Sequence, residues 1–330
     1  MAKRTIIFKN KPVLVSTATI GGPKEGTGPL GTHLDDIIDD DTFGEESFEK
    51  AECKMLSHVI RQGIINAKIE NDDVGSIIAG DLLNQIISSS FACRDFNIPY
   101  IGVYNACSTM SEAFAIGGML IDGGYMKNVV CATCSHFSTA ERQYRYPLEL
   151  GSTRPPLSQW TVTGAGAGVL SDKGNGPKIT MATFGRVIDF GVTDANNMGA
   201  AMAPAAVDTL IAHFKETGNT PDNYDLIITG DLGAFGSRIF KDLMWEKGYN
   251  VDKQHVDCGE MIYNICEEEF QGGSGAGCSA VVFNSFIYKQ LKKKMYKRVL
   301  LMATGALLST TSTQQGESIP AICHAVVFES

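Results

Sequence analysis

An internal repeat constrains the fold of this chain more than any other feature. The segment DDVGSIIAGDL at residues 72–82 returns as DNYDLIITGDL at residues 222–232, with six identities in eleven positions at an offset of 150. Unrelated segments of ordinary composition would share about one position. Each copy follows an amphipathic stretch, at residues 46–68 and 204–215, and each ends a short apolar strand in Gly-Asp. The repeat predicts a duplicated chain whose halves each run helix, turn, strand.

The remaining apolar segments predict an α/β fold with largely parallel sheets, covered by helices on both faces. The turn-rich stretch KGNGPK places the boundary near Gly176, between an N-terminal half, 1–175, and a C-terminal half, 176–330. Each half contributes a helical pattern, from Thr109 in the first and from Ser274 in the second. The predicted strands are residues 99–105, 128–133, 167–172, 178–192, 298–304 and 325–330.

Charge and cysteine usage narrow the class of protein. A net charge of -9 and a pI near 5.2 disfavour nucleic acid as a partner. Charges interrupt the apolar residues at the N-terminus, and no later run is long enough to span a membrane, so we expect an intracellular protein without a signal peptide or transmembrane segment. Nine irregularly spaced cysteines indicate buried thiols in a reducing compartment.

One basic segment departs from this acidic composition. Residues 289–298 read KQLKKKMYKR and end a helical pattern, where cations interact favourably with the helix dipole. The pattern predicts a solvated helix end. Contact with an anionic membrane surface is the alternative.

The segment around Cys107 carries the strongest indication of chemistry. A predicted strand runs to Asn105, and the pattern Thr109-x-x-Glu112 predicts a capping box that begins a helix. Cys107 is therefore expected on a strand-to-helix turn at the positive end of a helix, which lowers a thiol pKa and suits a nucleophile. A small buried thiol beside a turn remains the alternative.

Several motifs resemble a known family. Residues 105–108, NACS, and residues 163–170, TGAGAGVL, resemble the nucleophile turn and glycine-rich strand of the thiolase and ketoacyl synthase superfamily. Longer motifs are similar to the stage V sporulation protein AD family within it: GPKEGTGPLG, AGDLLNQ, TAERQYRYP, MGAAMAPAA, GGSGAGCSAVV and ATGALLS. The resemblance implies a thiolase-like duplicated fold, layered αβαβα, with two mixed, largely parallel sheets.

The resemblance also implies where an active condensing enzyme would carry its other groups. A histidine and an asparagine from the second half would complete the site with the cysteine, but those positions hold Gly230 and Ser274. Since glycine offers no base, we expect no condensing activity. We also expect no cofactor. The alternatives are an acyltransferase or condensing enzyme using Cys107 as nucleophile and His324 as an unusual base, and a purely structural subunit.

The same resemblance supplies a ligand. It implies binding of dipicolinate, or its calcium chelate, during uptake into the forespore in sporulation and during release at germination. It further implies a homodimer that is a peripheral subunit of a sporulation membrane complex at the spore inner membrane. The predicted ligand-binding residues are Cys107, Ser135, His136, Arg142, Arg145, Ser274, Gly305 and His324.

The charged members of this set have ordinary alternatives. A guanidinium from Arg142 or Arg145 matches a carboxylate of the ligand, and a surface salt bridge is the alternative for both. His136 and His324 are pocket candidates that could equally be hydrogen-bonded core histidines.

Two other patterns carry no site. Cys131 and Cys134 have metal-binding spacing, but they lie within a predicted strand, where residues three apart point to opposite faces. We expect no metal there. The glycine-rich segments at residues 164–168 and 273–277 lack the strand-then-helix context of dinucleotide loops, so close backbone packing is expected.

Overall fold

The two halves form two five-stranded sheets that join at one edge. A computed structural model describes residues 3–144, 154–265 and 271–330. The strand order is β5-β4-β6-β8-β2 in the first half and β9-β14-β13-β10-β11 in the second, and one antiparallel pair, Val13 and Lys178, links β2 to β9. The strands are β1 Thr5–Ile7, β2 Val13–Gly21, β3 Asp36–Ile37, β4 Ser76–Gly80, β5 Tyr100–Gly102, β6 Asn128–Ser135, β7 Trp160–Thr161, β8 Gly164–Ser171, β9 Lys178–Thr183, β10 Leu226–Thr229, β11 His255–Asp257, β12 Gly273–Ser274, β13 Arg298–Ala306 and β14 Ala321–Glu329.

Both sheets are mixed but largely parallel, as predicted. β5, β4 and β6 pair in parallel, and β8 pairs antiparallel with both β6 and β2. The second half repeats this arrangement with β11, β10, β13, β14 and β9. In the described part of each sheet, four of the five strands therefore point the same way. β1 and β3 extend the edges of β9 and β2.

Helices cover both sheets and fill the space between them. The helices are α1 Pro23–Thr27, α2 Phe48–Ala67, α3 Ile87–Cys93, α4 Thr109–Asp122, α5 Phe137–Tyr144, α6 Met198–Thr217, α7 Gly233–Glu246, α8 Cys258–Ile262, α9 Ala276–Val282, α10 Tyr288–Lys292 and α11 Thr310–Gln314. A π-helical turn, Phe283–Ile287, makes α9 and α10 one continuous element.

Three hydrophobic cores correspond to the three helical layers. The central core, between the sheets, contains α4 and α9 and is built around the rings of Phe114, Phe283 and Phe328, whose centroids lie 4.5 to 5.6 Å apart. A second core packs α2 on the outer face of the first sheet, and a third packs α6 and α7 on the second. The observed layering is the αβαβα arrangement that the sequence predicted.

The repeat is visible in the register. α2 and α6 each span twenty residues at an offset of 150, and β4 and β10 pair with β6 and β13 at equivalent positions, Ser76 with Val129 and Leu226 with Val299. α2 begins at the predicted place because the Ser47 hydroxyl accepts the Lys50 amide, which caps the helix. The predicted boundary at Gly176 lies in the loop between β8 and β9.

The glycine-rich segments pack against each other as expected. A Cβ on Gly166 would lie 2.4 Å from the Ala280 carbonyl oxygen, and one on Gly277 would lie 2.6 Å from that of Gly164. Glycine therefore allows β8 and α9 to approach closely. Cys131 lies in the central core and Cys134 in the outer one, which confirms that they point to opposite faces.

Two local predictions were wrong. The strand predicted over residues 178–192 ends at Thr183. Beyond it the Gly185 amide bonds the His324 ring instead of a strand carbonyl, and pairing with β14 resumes only as an isolated bridge between Ile188 and Ala321. The capping box does not form, because Ser108 occupies the N-cap of α4 and the Thr109 hydroxyl donates to the Ala106 carbonyl at 2.6 Å.

Candidate functional site

Cys107 lies on a tight turn between β5 and α4. Its neighbour Ala106 has φ +50°, a left-handed conformation that is uncommon for a residue with a side chain. Such strain persists only where the surroundings enforce it. Here the backbone of Gly305 in β13 packs directly against the turn. The contact is so close that a Cβ at Gly305 would lie 2.2 Å from the Asn105 carbonyl oxygen.

Hydrogen bonds from the second half also fix this turn. The Ser108 hydroxyl donates to the Ala303 carbonyl at 2.6 Å and accepts the His324 amide at 3.1 Å. One turn further along α4, the Ser111 hydroxyl accepts the Ala303 amide at 3.0 Å. The position of Cys107 therefore depends on strands β13 and β14.

A small cavity of about 40 Å³ opens beside Cys107. Its lining residues come from both halves: Leu82, Tyr104, Ala106, Cys107, Ala140, Tyr144, Thr161, Met198, Ser274, Gly275, Ala306 and Leu308. Because one water needs about 10–15 Å³ of such volume, this cavity holds only a few waters and is smaller than most ligand pockets. A planar aromatic ligand would require side chains in the walls to move.

The polar groups of the cavity are hydroxyls. Ser274 is 1% exposed, and its hydroxyl has no hydrogen-bond partner among the described residues. The Tyr104 and Tyr144 hydroxyls lie 3.1 Å apart, and that of Tyr144 also donates to the Leu82 carbonyl. Burial raises the pKa of both tyrosines, so both remain neutral near pH 7. The unsatisfied hydroxyl of Ser274 is the group most available to a ligand.

Gly230 lies at the end of β10, packed tightly against β13. A Cβ there would lie 3.0 Å from the Ala303 Cα and the Thr304 nitrogen, so the site has little room for a larger residue. The adjacent Asp231 is fully buried, and its carboxylate accepts the Thr304 hydroxyl at 2.8 Å and the Gly275 amide at 3.0 Å. This carboxylate holds the cavity wall at Gly275 in place.

His324 lies behind the turn and does not line the cavity. Its Nδ1 accepts the Gly185 amide at 3.1 Å, and its Nε2 lies 3.1 Å from the Asn105 side-chain nitrogen. Burial lowers the pKa of His324 to about 4, so the imidazole is neutral near pH 7. Since Nδ1 accepts a hydrogen bond, the ring proton belongs on Nε2, which would suit an Asn105 side chain that presents its oxygen.

The structure places three predicted residues away from the cavity. The Ser135 hydroxyl donates to the Val162 carbonyl at 2.7 Å and accepts the Gly277 amide at 3.0 Å, which supports the start of α9. His136 Nε2 lies 2.7 Å from the Asp41 carbonyl oxygen, and burial lowers its pKa. Both are structural residues in this arrangement.

Arg142 is the third, and its expected position needs correction. Ala140 and Tyr144 lie four residues apart on α5 and face the cavity, so Arg142, midway between them, projects from the opposite side of the helix. It pairs with Glu49 of α2 at 3.1 Å, and both side chains are partly exposed. Arg145 lies outside the described residues.

Of the eight predicted residues, Cys107 and Ser274 line the cavity, and Gly305 and His324 support it from behind. The apolar lining was not predicted. Part of this lining could have been predicted from the motif TAERQYRYP, because its Ala140 and Tyr144 are spaced one helical turn apart and so share a helix face. Leu82 likewise follows the repeated Gly-Asp.

A wider groove of about 700 Å³ lies elsewhere, between α2 and α3. Two of its cations pair with acids, Lys54 with Glu45 and Arg94 with Asp95. It contains none of the predicted site residues and lies apart from Cys107, so we assign no role to it.

Two absences hold for the residues that the structure describes, 3–144, 154–265 and 271–330. No group of three or more metal-binding side chains comes together within these ranges. No helix within them is long and apolar enough to cross a bilayer.

Comparison with known proteins gives a whole-chain match. The family model of stage V sporulation protein AD matches residues 2–329. Stage V sporulation protein AD of Bacillus subtilis (strain 168) is 46% identical over 327 residues, covering 99% of this chain and 97% of the relative.

Solved structures with the same fold are more distant in sequence. Xanthomonas campestris OleA with bound cerulenin superposes with a TM-score of 0.64 at 12% identity, covering 98% of this chain and 100% of the other. 3-Oxoacyl-[acyl-carrier-protein] synthase III from Aquifex aeolicus VF5 gives a TM-score of 0.56 at 13% identity, with 97% and 100% covered. At this identity the similarity shows the thiolase-like fold alone.

Proposed function

The chain belongs to the stage V sporulation protein AD family, and we propose that it serves sporulation by binding dipicolinic acid, or its calcium chelate, in the cavity beside Cys107. Family membership supports the role in sporulation. The identity of the ligand is a more specific proposal than the role in sporulation. The observation that carries it is the cavity itself, which presents the unsatisfied hydroxyl of buried Ser274 beside Cys107.

The side chains that line the cavity, once moved apart, offer contacts for a flat aromatic dicarboxylic acid. Tyr104 and Tyr144 offer rings against which a pyridine ring can stack, and Leu82, Met198 and Leu308 offer apolar contact. Ser274 and Thr161 supply hydroxyl groups for a carboxylate. Much of the wall consists of side chains, so rotamer changes can enlarge the cavity as the ligand enters.

Binding without turnover follows from the groups around Cys107. Gly230 offers no base where the superfamily carries a histidine, and its backbone packs too tightly to admit one without rearrangement. The competing function, acyl transfer from Cys107, draws support from the strained turn at Ala106 and from His324 nearby. Against it, His324 has both ring nitrogens directed at protein groups, Gly185 and Asn105. Removal of general-base help costs typically 10² to 10⁴-fold in rate.

In the cell, this binding would serve dipicolinate uptake into the forespore during sporulation and its release at germination. The protein would act at the spore inner membrane as a peripheral subunit, together with the other proteins of the same complex. We further propose a homodimer. β5 is an edge strand, and Phe91 and Tyr104 beside it are 48% and 42% exposed, as expected for a surface covered by a second copy.

Calorimetric titration tests the ligand assignment. Wild type should bind dipicolinate more tightly than benzoate, a monocarboxylate control. Ser274→Ala should weaken dipicolinate binding about tenfold or more, because a hydrogen bond to a charged group contributes roughly 1.5–3 kcal/mol. Arg145→Ala should weaken dipicolinate binding, because it removes the guanidinium proposed to pair with a carboxylate. Arg142→Ala is its matched control: Arg142 pairs with Glu49 outside the cavity, so its loss should leave affinity unchanged. Equal binding of both compounds, or of neither, would exclude a dicarboxylate site.

A further inference from the structure

The edge of the molecule opposite Cys107 carries a concentration of lysines. Strands β2, β6, β9 and β13 begin at this edge, whereas the Cys107 turn follows the carboxyl end of β5. We call this edge the amino face and define it by its nine exposed lysines: Lys9, Lys11, Lys127, Lys173, Lys178, Lys292, Lys293, Lys294 and Lys297.

Sheet pairing places these lysines side by side. Lys178 pairs with Val13, which follows Lys11 and Pro12, and with Glu329, whose other neighbour is Arg298. From β13 to β6 the edge crosses six adjacent strands, or roughly 24 Å at the usual spacing of about 4.8 Å. Lysines from segments far apart in the sequence therefore form one surface.

The cations of the amino face have few acidic partners. Among the described residues, none of the nine lysines makes a salt bridge. Two nearby acids are engaged elsewhere: Asp225 accepts the backbone amides of Lys297 and Arg298, and Glu329 pairs with Arg298. Asp172, whose amide bonds the Lys127 carbonyl, is exposed on the same face. The face is thus rich in exposed lysine on a chain whose net charge is -9.

Two large apolar side chains project from the same face. Tyr125 follows α4 and is 80% exposed, and Met295 lies among the lysines after α10 and is 70% exposed. The opposite edge has the reverse charge. Residues 35–49 carry eight Asp and Glu residues, and β3 in this segment pairs with the carboxyl end of β2. Exposed lysines are therefore concentrated at one edge, and an acidic segment lies at the other.

We propose that the amino face docks directly on an anionic lipid surface, with Tyr125 and Met295 entering the headgroup region. Basic side chains near such a surface each contribute about 1 kcal/mol, and exposed apolar residues among them add burial at the interface. A nucleic-acid site would favour arginine for bidentate phosphate contacts, but the cations here are lysines, and the single arginine beside them pairs with Glu329.

This docking fixes the orientation of the protein. The acidic edge and the Cys107 cavity face away from the bilayer, one strand length of roughly 30 Å from it. The inference deepens the proposed peripheral location, which rests on the proposed function, by assigning attachment to lipid and to one face. It does not depend on which ligand the cavity accepts.

Vesicle co-sedimentation of the full chain tests the proposal. The protein should bind vesicles that contain about 30% phosphatidylglycerol and not vesicles of phosphatidylcholine alone, and binding should fall steeply as salt rises to about 0.5 M. The triple variant Lys292→Glu/Lys293→Glu/Lys297→Glu should bind on the order of 100-fold more weakly. Its matched control, Lys50→Glu/Arg238→Glu/Lys241→Glu, changes net charge equally but off the amino face and should bind like wild type.

A second variant separates lipid from other polyanions. Tyr125→Ser/Met295→Ser keeps every charge and should still weaken vesicle binding several-fold. Failure to bind anionic vesicles, equal loss in the control triple variant, or equally tight binding to heparin or duplex DNA would each overturn the proposal. Calorimetry with dipicolinate on the same lysine variant keeps the two hypotheses apart, because the distant cavity should bind as in wild type.

Discussion

The equivalent strands β6 and β13, which both contact the central helix α4, differ in how each supports the other half. By register Ser135 of β6 corresponds to Gly305 of β13. Ser135 uses its hydroxyl to hold the start of α9 in the second half, whereas Gly305 uses the absence of a side chain to pack on the Cys107 turn in the first. Each half therefore stabilises a helix start in the other half. The first half does so through the Ser135 hydrogen bond and the second through the close backbone contact at Gly305.

The buried carboxylates show the same divergence. Asp81 and Asp231 end equivalent strands and both are fully buried. Asp81 bonds within its own loop, to the Leu83 and Ser89 amides, while Asp231 reaches Thr304 and Gly275 across the second half. The aspartate is therefore the same in both halves, but its hydrogen-bond partners differ. In the second half the carboxylate supports the cavity wall at Gly275.

Filling the position of Gly305 should produce the largest effect. Gly305→Ala places a methyl group 2.2 Å from the Asn105 carbonyl oxygen, so the Cys107 turn must move and we expect a loss of about 3 kcal/mol in the free energy of unfolding. Gly63→Ala is the control, since its Cβ would contact nothing closer than 3.5 Å and alanine favours the helix. Urea denaturation measures both. Equal stability of the two variants would show that the turn is not held by this contact.

Removing the hydroxyl at the equivalent position in β6 should cost less. Ser135→Ala leaves the buried Gly277 amide without its partner, and we expect a loss of about 2 kcal/mol together with weaker dipicolinate binding. Ser279→Ala removes a buried hydroxyl that has no hydrogen-bond partner among the described residues, so it should be nearly neutral. If the two serine variants unfold at the same urea concentration, the support of α9 by Ser135 is not significant.

A third difference between the halves concerns pH. Glu52 of α2 corresponds to Met202 of α6, and both are fully buried. Burial raises the pKa of Glu52 from 4.5 to about 8. The folded state therefore binds this proton more tightly than the unfolded state does. The resulting contribution of Glu52 to the free energy of unfolding is complete below pH 4.5 and is lost as pH rises through about 8.

We expect Glu52 to lower the free energy of unfolding by about 1 kcal/mol per pH unit as pH rises from 5 to 8. Glu52→Met gives the first half the residue of the second and should flatten that part of the curve, as should Glu52→Gln. Denaturation series at several pH values measure the slope. An unchanged slope in both variants would mean that Glu52 does not retain its proton in the folded protein.

The sequence predicted the duplication, the layers and the Cys107 turn because these depend on periodicity and on long motifs. Of the predicted ligand-binding residues, Ser135, His136 and Arg142 lie away from the cavity, since a motif does not determine which way a side chain points. On α5 the helical phase directs Tyr144 inward and Arg142 toward Glu49. The capping box failed for a similar reason: Thr109 satisfies the Ala106 carbonyl of the strained turn instead of capping the helix.

The most direct test of the account is a crystal structure of the protein with dipicolinate. We predict the ligand between Tyr104 and Tyr144, with a carboxylate oxygen within hydrogen-bond distance of the Ser274 hydroxyl and with no covalent bond to the Cys107 sulfur. The walls at Leu82 and Leu308 should have moved apart relative to the unliganded protein. A ligand bound elsewhere, or a covalent adduct on Cys107, would contradict a binding site formed by the reciprocal support of the two halves.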